Sequence, residues 1–172
     1  MKIKKMLLGC LLTAAIFSSC DKDDDDDNDI NSQDRNFAMM AAMANFAEID
    51  AGSLAVSKGT DPGITGFGQM MVNDHGSAKT ELQDMASDLG LNAPDSLDAE
   101  HVALKAQLMT LSGRAFDSVY IHSQVKDHQT AITLHRNQSE NGDNARLRNY
   151  ANQQLPHLEE HLEHAQNLAA NY

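Results

Sequence analysis

From residue 34 onward, apolar side chains recur every three or four positions almost without a break, and no run of β-branched or aromatic residues at period two interrupts them. Residues 35–172 therefore read as an all-α domain. The first long segment, 34–58, carries the stripe Phe37, Met40, Ala44, Ala47, Ala51 and Leu54. Gly59-Thr60-Asp61-Pro62 ends it and opens the next, with Asp61 as the cap and Pro62 at the first helical position. The second segment follows Ile64, Phe67, Met71, His75, Ala78, Leu82, Met85 and Leu89, and Gly90 stops it. A shorter helix through Val102, Leu104, Leu108 and Leu111 is expected after a cap at Asp95 or Ser96. The third long segment, 114–140, places Phe116, Tyr120, Gln124, His128, Ala131, Ile132 and His135 on one face. After the turn Asn141-Gly142-Asp143, the fourth runs from 144 through Leu147, Tyr150, Ala151, Leu158, His161, Ala165 and Leu168, with Pro156 expected to bend it. Two short links flanking one longer link are the pattern of a ferritin-like four-helix bundle with a short crossover helix between its second and third long helices.

The first 34 residues follow a different rule. Lys2, Lys4 and Lys5 precede the apolar run 6–17 and then Ser18-Ser19-Cys20, which reads as a signal peptide over residues 1–19. Cys20 stands where the lipidated cysteine of bacterial lipoproteins stands, and this segment resembles their lipobox with Phe17 in place of leucine. The other cysteine, Cys10, lies in the part removed, so the mature chain has no disulfide and no thiol ligand. Residues 20–34 hold a run of aspartates against Lys22, which repel one another and bury nothing, so a solvated tether is expected. The Lys-Asp-Asp after Cys20 also resembles a surface-export signal of Bacteroidota-type lipoproteins. The expected address is the cell envelope, by a lipid anchor at Cys20, on the periplasmic or outer face of the outer membrane; by the enterobacterial rule the aspartate beside Cys20 would instead mark retention at the inner membrane. A formal net charge of −12 makes nucleic acid an unsuitable partner.

Within the helices, Val72-Asn73-Asp74-His75-Gly76-Ser77-Ala78 recurs as Val125-Lys126-Asp127-His128-Gln129-Thr130-Ala131. In each copy a histidine occupies an apolar-stripe position. Glu48, His75, His128 and His161 thus supply one inward ionisable side chain from each long helix, the arrangement by which bundles build metal sites for copper, zinc or iron. Glu48 and His75 are level across the first hairpin. Across the second, residue counting favours His157 and the apolar stripe favours His161, so both stay candidates. Neither His75 nor His128 is preceded by the Glu-x-x-His spacing of carboxylate-bridged di-iron bundles. Met40, Met43, Met70 and Met71 lie near the same level, as copper-suited thioethers or as adaptable core filling. The competing structural account pairs His75 with Glu48, and His128 with acidic residues of the fourth helix, as buried hydrogen-bonded pairs that fix helix register. Asp74 and Asp127 are turned about 100° away, toward solvent or a neighbouring helix. His157-Leu158-Glu159-Glu160-His161 matches an H-x-x-E-H peptidase motif, but too little chain follows to supply that group's third ligand.

Phe46-x-Glu48, Met71-Val72-x-Asp74-His75, Ser112-Gly113-x-Ala115-Phe116-Asp117-x-x-Tyr120, Asp127-His128 and Leu155-Pro156-x-Leu158-Glu159-Glu160-His161-Leu162 together resemble the signature of the exported bacterial family called domain of unknown function 4142. The likeness runs in order across nearly all of residues 35–172. It implies an exported, ferritin-like helical domain and no particular activity. Phe116-Asp117-x-x-Tyr120-Ile121 with His128-x-x-Ala131-Ile132 is also similar to the core of a second exported helical family, domain of unknown function 305, some members of which are linked to copper. That likeness covers one helix and lacks the doubled histidine of that family. The expectation favoured at this point is a lipid-anchored, non-enzymatic envelope protein with a structural, interaction or stress-related role and an envelope protein as partner. The alternative is a metal-binding envelope protein that uses the Glu/His cluster.

Overall fold

The computed structural model describes residues 29–172, which form five helices and no strand. They are α1 (Ser32–Lys58), α2 (Pro62–Asp88), α3 (Ala99–Thr110), α4 (Gly113–Asn141) and α5 (Ala145–Ala169). The signal peptide, Cys20 and most of the expected tether lie outside the described residues. No described helix is long and apolar enough to cross a membrane.

Two buried carboxylates tie the ends of α1 to the ends of α4. At one end the Asn31 side chain accepts from the Asp34 N–H at 2.8 Å while Asp34 accepts from the Asn31 N–H, a capping box that starts α1 at Ser32. Asp34, placed by its sequence neighbours in the acidic tether, is instead fully buried, accepting from Gln138 Nε2 at 2.6 Å and from the Asn144 N–H at 3.2 Å. At the other end Asp117 accepts from the Thr60 N–H and hydroxyl and from the Asp61 N–H, so it holds the α1–α2 turn onto the first turn of α4. The start of α1 meets the end of α4 and the reverse, so the two helices are antiparallel. Tyr150 Oη donating to the Ala78 carbonyl at 3.1 Å and Arg146 bonding Asp88 set α5 antiparallel to α2 in the same way. The bundle order is therefore α1, α2, α5, α4, with α2 and α4 parallel, as a ferritin-like crossover requires.

That crossover is α3, which climbs the outside of the α1–α4 seam. Its cap is Asp98, which accepts from the His101 N–H at 2.8 Å, and not the expected Asp95 or Ser96. Asp95 is drawn away to Lys79 at 2.6 Å. Lys58 ends the helix by donating to the Leu108 and Met109 carbonyls, both at 2.8 Å. α5 runs unbroken past Pro156.

The apolar core comes in two main blocks, one around Phe67, Leu108, Phe116 and Tyr120 and the other around Phe37, Leu82, Leu147 and Tyr150. Between them lies a polar belt. Met40, expected in the core stripe of α1, is 43% exposed, and the inner line of α1 runs through Ala38, Ala41, Asn45, Glu48, Gly52 and Ala55. Small residues prevail there because α1 and α2 nearly touch: a Cβ on Gly68 would lie 2.7 Å from Ala55 Cβ and 2.8 Å from the Gly52 carbonyl oxygen. A Cβ on exposed Gly66 would meet nothing within 4 Å. Gly68→Ala is expected to cost about 1–3 kcal/mol by overpacking, whereas Gly66→Ala should gain roughly 0.5–1 kcal/mol by restricting the unfolded chain. Urea denaturation midpoints of the two variants check the contrast.

Candidate metal centre

In the polar belt, His75 of α2, His128 of α4 and His161 of α5 meet. Their ring centroids stand 5.6, 5.5 and 5.4 Å apart, a nearly equilateral triangle, and one ligand atom from each lies within 4.8 Å of the other two. All three are buried.

Each ring is held from outside by an acceptor, and the acceptors settle which nitrogen keeps its lone pair. The Ala78 carbonyl can only accept, so the Tyr150 hydroxyl donates to it. That hydroxyl then accepts from Asn45 Nδ2 at 3.3 Å, which turns Asn45 Oδ1 toward His75 Nδ1 at 2.9 Å. His75 consequently carries its proton on Nδ1. His128 Nδ1 donates to the Gln124 carbonyl at 2.9 Å, and His161 Nε2 donates to Asp74 at 3.1 Å. The remaining nitrogens, Nε2 of His75, Nε2 of His128 and Nδ1 of His161, have no hydrogen-bond partner. Three lone pairs from three helices are therefore left in one buried place. An unsatisfied buried polar atom costs about 1–3 kcal/mol. A tetrahedral ion with bonds of about 2.0–2.1 Å spaces its ligands by roughly 3.3 Å, so ligation asks the rings to draw in by about 1.5 Å at most.

Glu48 of α1 stands beside them, its Oε1 3.6 Å from His128 Nδ1 and its Oε2 without a partner. Burial, reinforced by the charge of Asp127 and opposed by Gln124 and His101, pushes its carboxyl up to about 8. The Gln124 side chain faces the carboxyl without a hydrogen bond of ordinary length. Burial also lowers His75, His128 and His161, and mutual repulsion among protonated rings adds to this at His75 and His161. Neutral imidazoles are the form that binds metal.

Sequence reasoning placed Glu48, His75 and His128 in the bundle interior, where they are. Of the two α5 candidates, the structure brings in His161 and leaves His157 exposed. Side chains lean toward their helix N-terminus, so His161 reaches back toward the α4–α5 turn while His128 leans away from it, and the two converge although their Cα positions are not level. The expected His75–Glu48 pair does not form; His75 pairs with Asn45. His128 is held by its own helix, not by acidic residues of α5. The two aspartates of the repeat have diverged. Asp74 orients His161, whereas Asp127 lies 3.8 Å from His101 of α3. Asp127, with Asp98 at 2.8 Å, pushes His101 up to about 9 against its partial burial, so it clasps α3 as a cation. Met71 is buried in the apolar block around Phe67, and Met70 packs against that block. Asn45, the Gln124 carbonyl and Asp74 as holders of the rings were not foreseen. An asparagine on an otherwise alanine-lined face was the one signal available.

A cleft of about 400 Å³ between α1 and α4 reaches Asn45, Glu48 and His75 from the surface.

An all-α bundle of two hairpins joined by a crossover helix, with histidines facing one another inside, defines the class. The family model for the domain of unknown function DUF4142 matches residues 21–168, and the chain belongs to that family. No curated protein matches the sequence. Among solved structures, the crystal structure of a DUF305 fragment from Deinococcus radiodurans is similar in fold, with a TM-score of 0.73 at 11% identity, covering 83% of this chain and 99% of that one.

In the metal-free protein, His75, His128, His161 and His135, the last lowered to about 4, bind fewer protons folded than unfolded below pH 6.5. Stability should therefore fall as pH drops from 6.5 toward 4. Glu48 and His101 are raised to about 8 and about 9, so their contributions are present at low pH and fade as pH rises through those values. The expected melting-temperature profile peaks near pH 6.5, and His75→Gln should flatten its acid limb.

Proposed function

We propose that this chain is a lipid-anchored envelope protein whose domain holds one transition-metal ion at His75, His128 and His161, with Glu48 behind the His128 ring as a nearby charge. The observation that carries this reading is the set of three inward nitrogens without partners while every outward nitrogen is bonded. A network serving only helix register would satisfy both sides of each ring. Three imidazoles are donors for zinc, copper or iron and poor ones for magnesium or calcium. Held in a buried belt, such an ion fits sequestration or a redox role. Glu48, protonated without an ion, would give up its proton on binding, so uptake should strengthen as pH rises toward 8. The anchor is supported by the lipobox-like segment ending at Cys20.

A second reading keeps the histidines as purely structural elements of an interaction module. What favours it is that Asn45–His75 joins α1 to α2 and Asp74–His161 joins α2 to α5.

Untagged, metal-free protein separates the two. On the metal reading, zinc or copper binds one to one and stabilises the fold by about 2.7 kcal/mol when free metal is a hundredfold above Kd. Asp74→Asn, at a carboxylate 51% exposed, should keep the fold and weaken binding roughly 10- to 100-fold by releasing the His161 ring. His75→Ala should chiefly abolish uptake. On the structural reading His75→Ala unfolds the domain, and neither metal moves the melting temperature. For the anchor, Cys20→Ser should move the protein from the membrane fraction to the soluble envelope fraction.

A further inference from the structure

We infer that the cleft between α1 and α4 is a second, soft-metal site, in which the thioethers of Met39, Met40 and Met43 together with Nε2 of His135 take up Cu(I). The cleft site stands independently of the histidine trio; that it feeds the trio rests on the metal-binding reading above.

The three methionines occupy one stretch of α1 at positions that meet across a helical turn, 39 with 43 and 40 with 43. They are not core filling. The inner line of α1 is alanine at 38, 41 and 42, whereas Met39 is 37% and Met40 43% exposed, two of only five large apolar side chains so exposed among the described residues. All three line the cleft. Met40 sulfur takes one weak contact, from Asn36 Nδ2 at 3.4 Å, which an ion can displace.

The opposite wall supplies the fourth donor. His135 lines the same cleft from α4, one heptad beyond His128 on the same helix face. Its Nδ1 donates to the Ala131 carbonyl at 2.8 Å, so the lone pair lies on Nε2. Burial keeps the ring neutral at physiological pH. Uncharged sulfur donors with one imidazole select a soft ion and hold zinc or magnesium poorly. The apolar lining favours a monovalent ion, whose desolvation is less costly than that of a divalent one. Asp98, Glu100 and Asp127 line the same cleft but are paired there with His101 and Lys126, so the uncharged donors and not a field of free carboxylates select the ion. At its inner end the cleft reaches Asn45, Glu48 and His75, so an ion held by the methionines is one short transfer from the trio.

The test uses the full chain without a histidine tag, under anaerobic conditions, with Ag(I) as the redox-inert probe and Cu(I) competed against bicinchoninate. The ε-methyl NMR signals of Met39, Met40 and Met43 should shift together with the first equivalent of Ag(I), in the wild type and equally in His161→Asn. The triple variant M39L/M40L/M43L, altered at exposed or half-buried positions that leucine can fill, should lose one Cu(I) equivalent and keep its zinc binding. Unmoved methyl signals, or a triple variant with the wild-type Cu(I) count, overturn the inference. If zinc fails to bind the wild type while the methyl signals still shift, the trio reading falls and the cleft site stands.

Discussion

The arrangement rests on one constraint: an imidazole has two nitrogens, and when the outer one is committed to a fixed acceptor the inner one must present a lone pair. At His75 that commitment begins three groups away. A carbonyl of α2 can only accept, so the Tyr150 hydroxyl, then Asn45, then the ring itself are each set in one orientation. The Gln124 carbonyl and the Asp74 carboxylate do the same for the other two rings. Each imidazole is thereby fixed in rotation and in tautomer, as metal-ligating histidines are when their outer nitrogen is engaged. The unfavourable part, three unpaired acceptors in a buried belt, is concentrated at a single point.

The rest of the bundle keeps that point in place. Apolar blocks lie on either side of the belt, and at the far ends Asp34 gathers donors from Gln138 and Asn144 while Asp117 gathers them from the α1–α2 turn. With α1 and α4 tied at both ends, they cannot slide, so Glu48 stays opposite His128. The close approach at Gly52 and Gly68 brings α2 near enough for Asn45 to reach His75. α3 is held to this frame by charge more than by burial, through Lys105–Asp50 at 2.5 Å and the His101 clasp, with Leu108 as its one buried residue.

The helices were readable from sequence because burial imposes the same three-to-four spacing wherever a helix faces a core, and turns such as Gly59-Thr60-Asp61-Pro62 carry their own chemistry. The Phe46-x-Glu48 to His161 signature pointed to the family whose model then matched most of the chain. The inward positions of Glu48, His75 and His128 followed from the stripes alone. What failed to show was contact across helices. A carboxylate among tether aspartates gives no sign that it will be Asp34, buried against Gln138 and Asn144, because its partners lie more than 100 residues away. The choice of His161 over His157 depended on side-chain lean, which counting Cα positions leaves out. The repeat implied equivalent roles for Asp74 and Asp127, yet each serves whichever helix happens to flank it, α5 in one case and α3 in the other.

The tautomers are the most direct test, because the site exists only if the lone pairs point inward. Long-range ¹H–¹⁵N correlation NMR of metal-free protein at neutral pH reads them ring by ring. The account requires Nδ1–H at His75 and His128 and Nε2–H at His161, with zinc shifting only the three unprotonated nitrogens. A proton on His75 Nε2, on His128 Nε2 or on His161 Nδ1, or zinc shifts confined to exposed histidines, contradicts it.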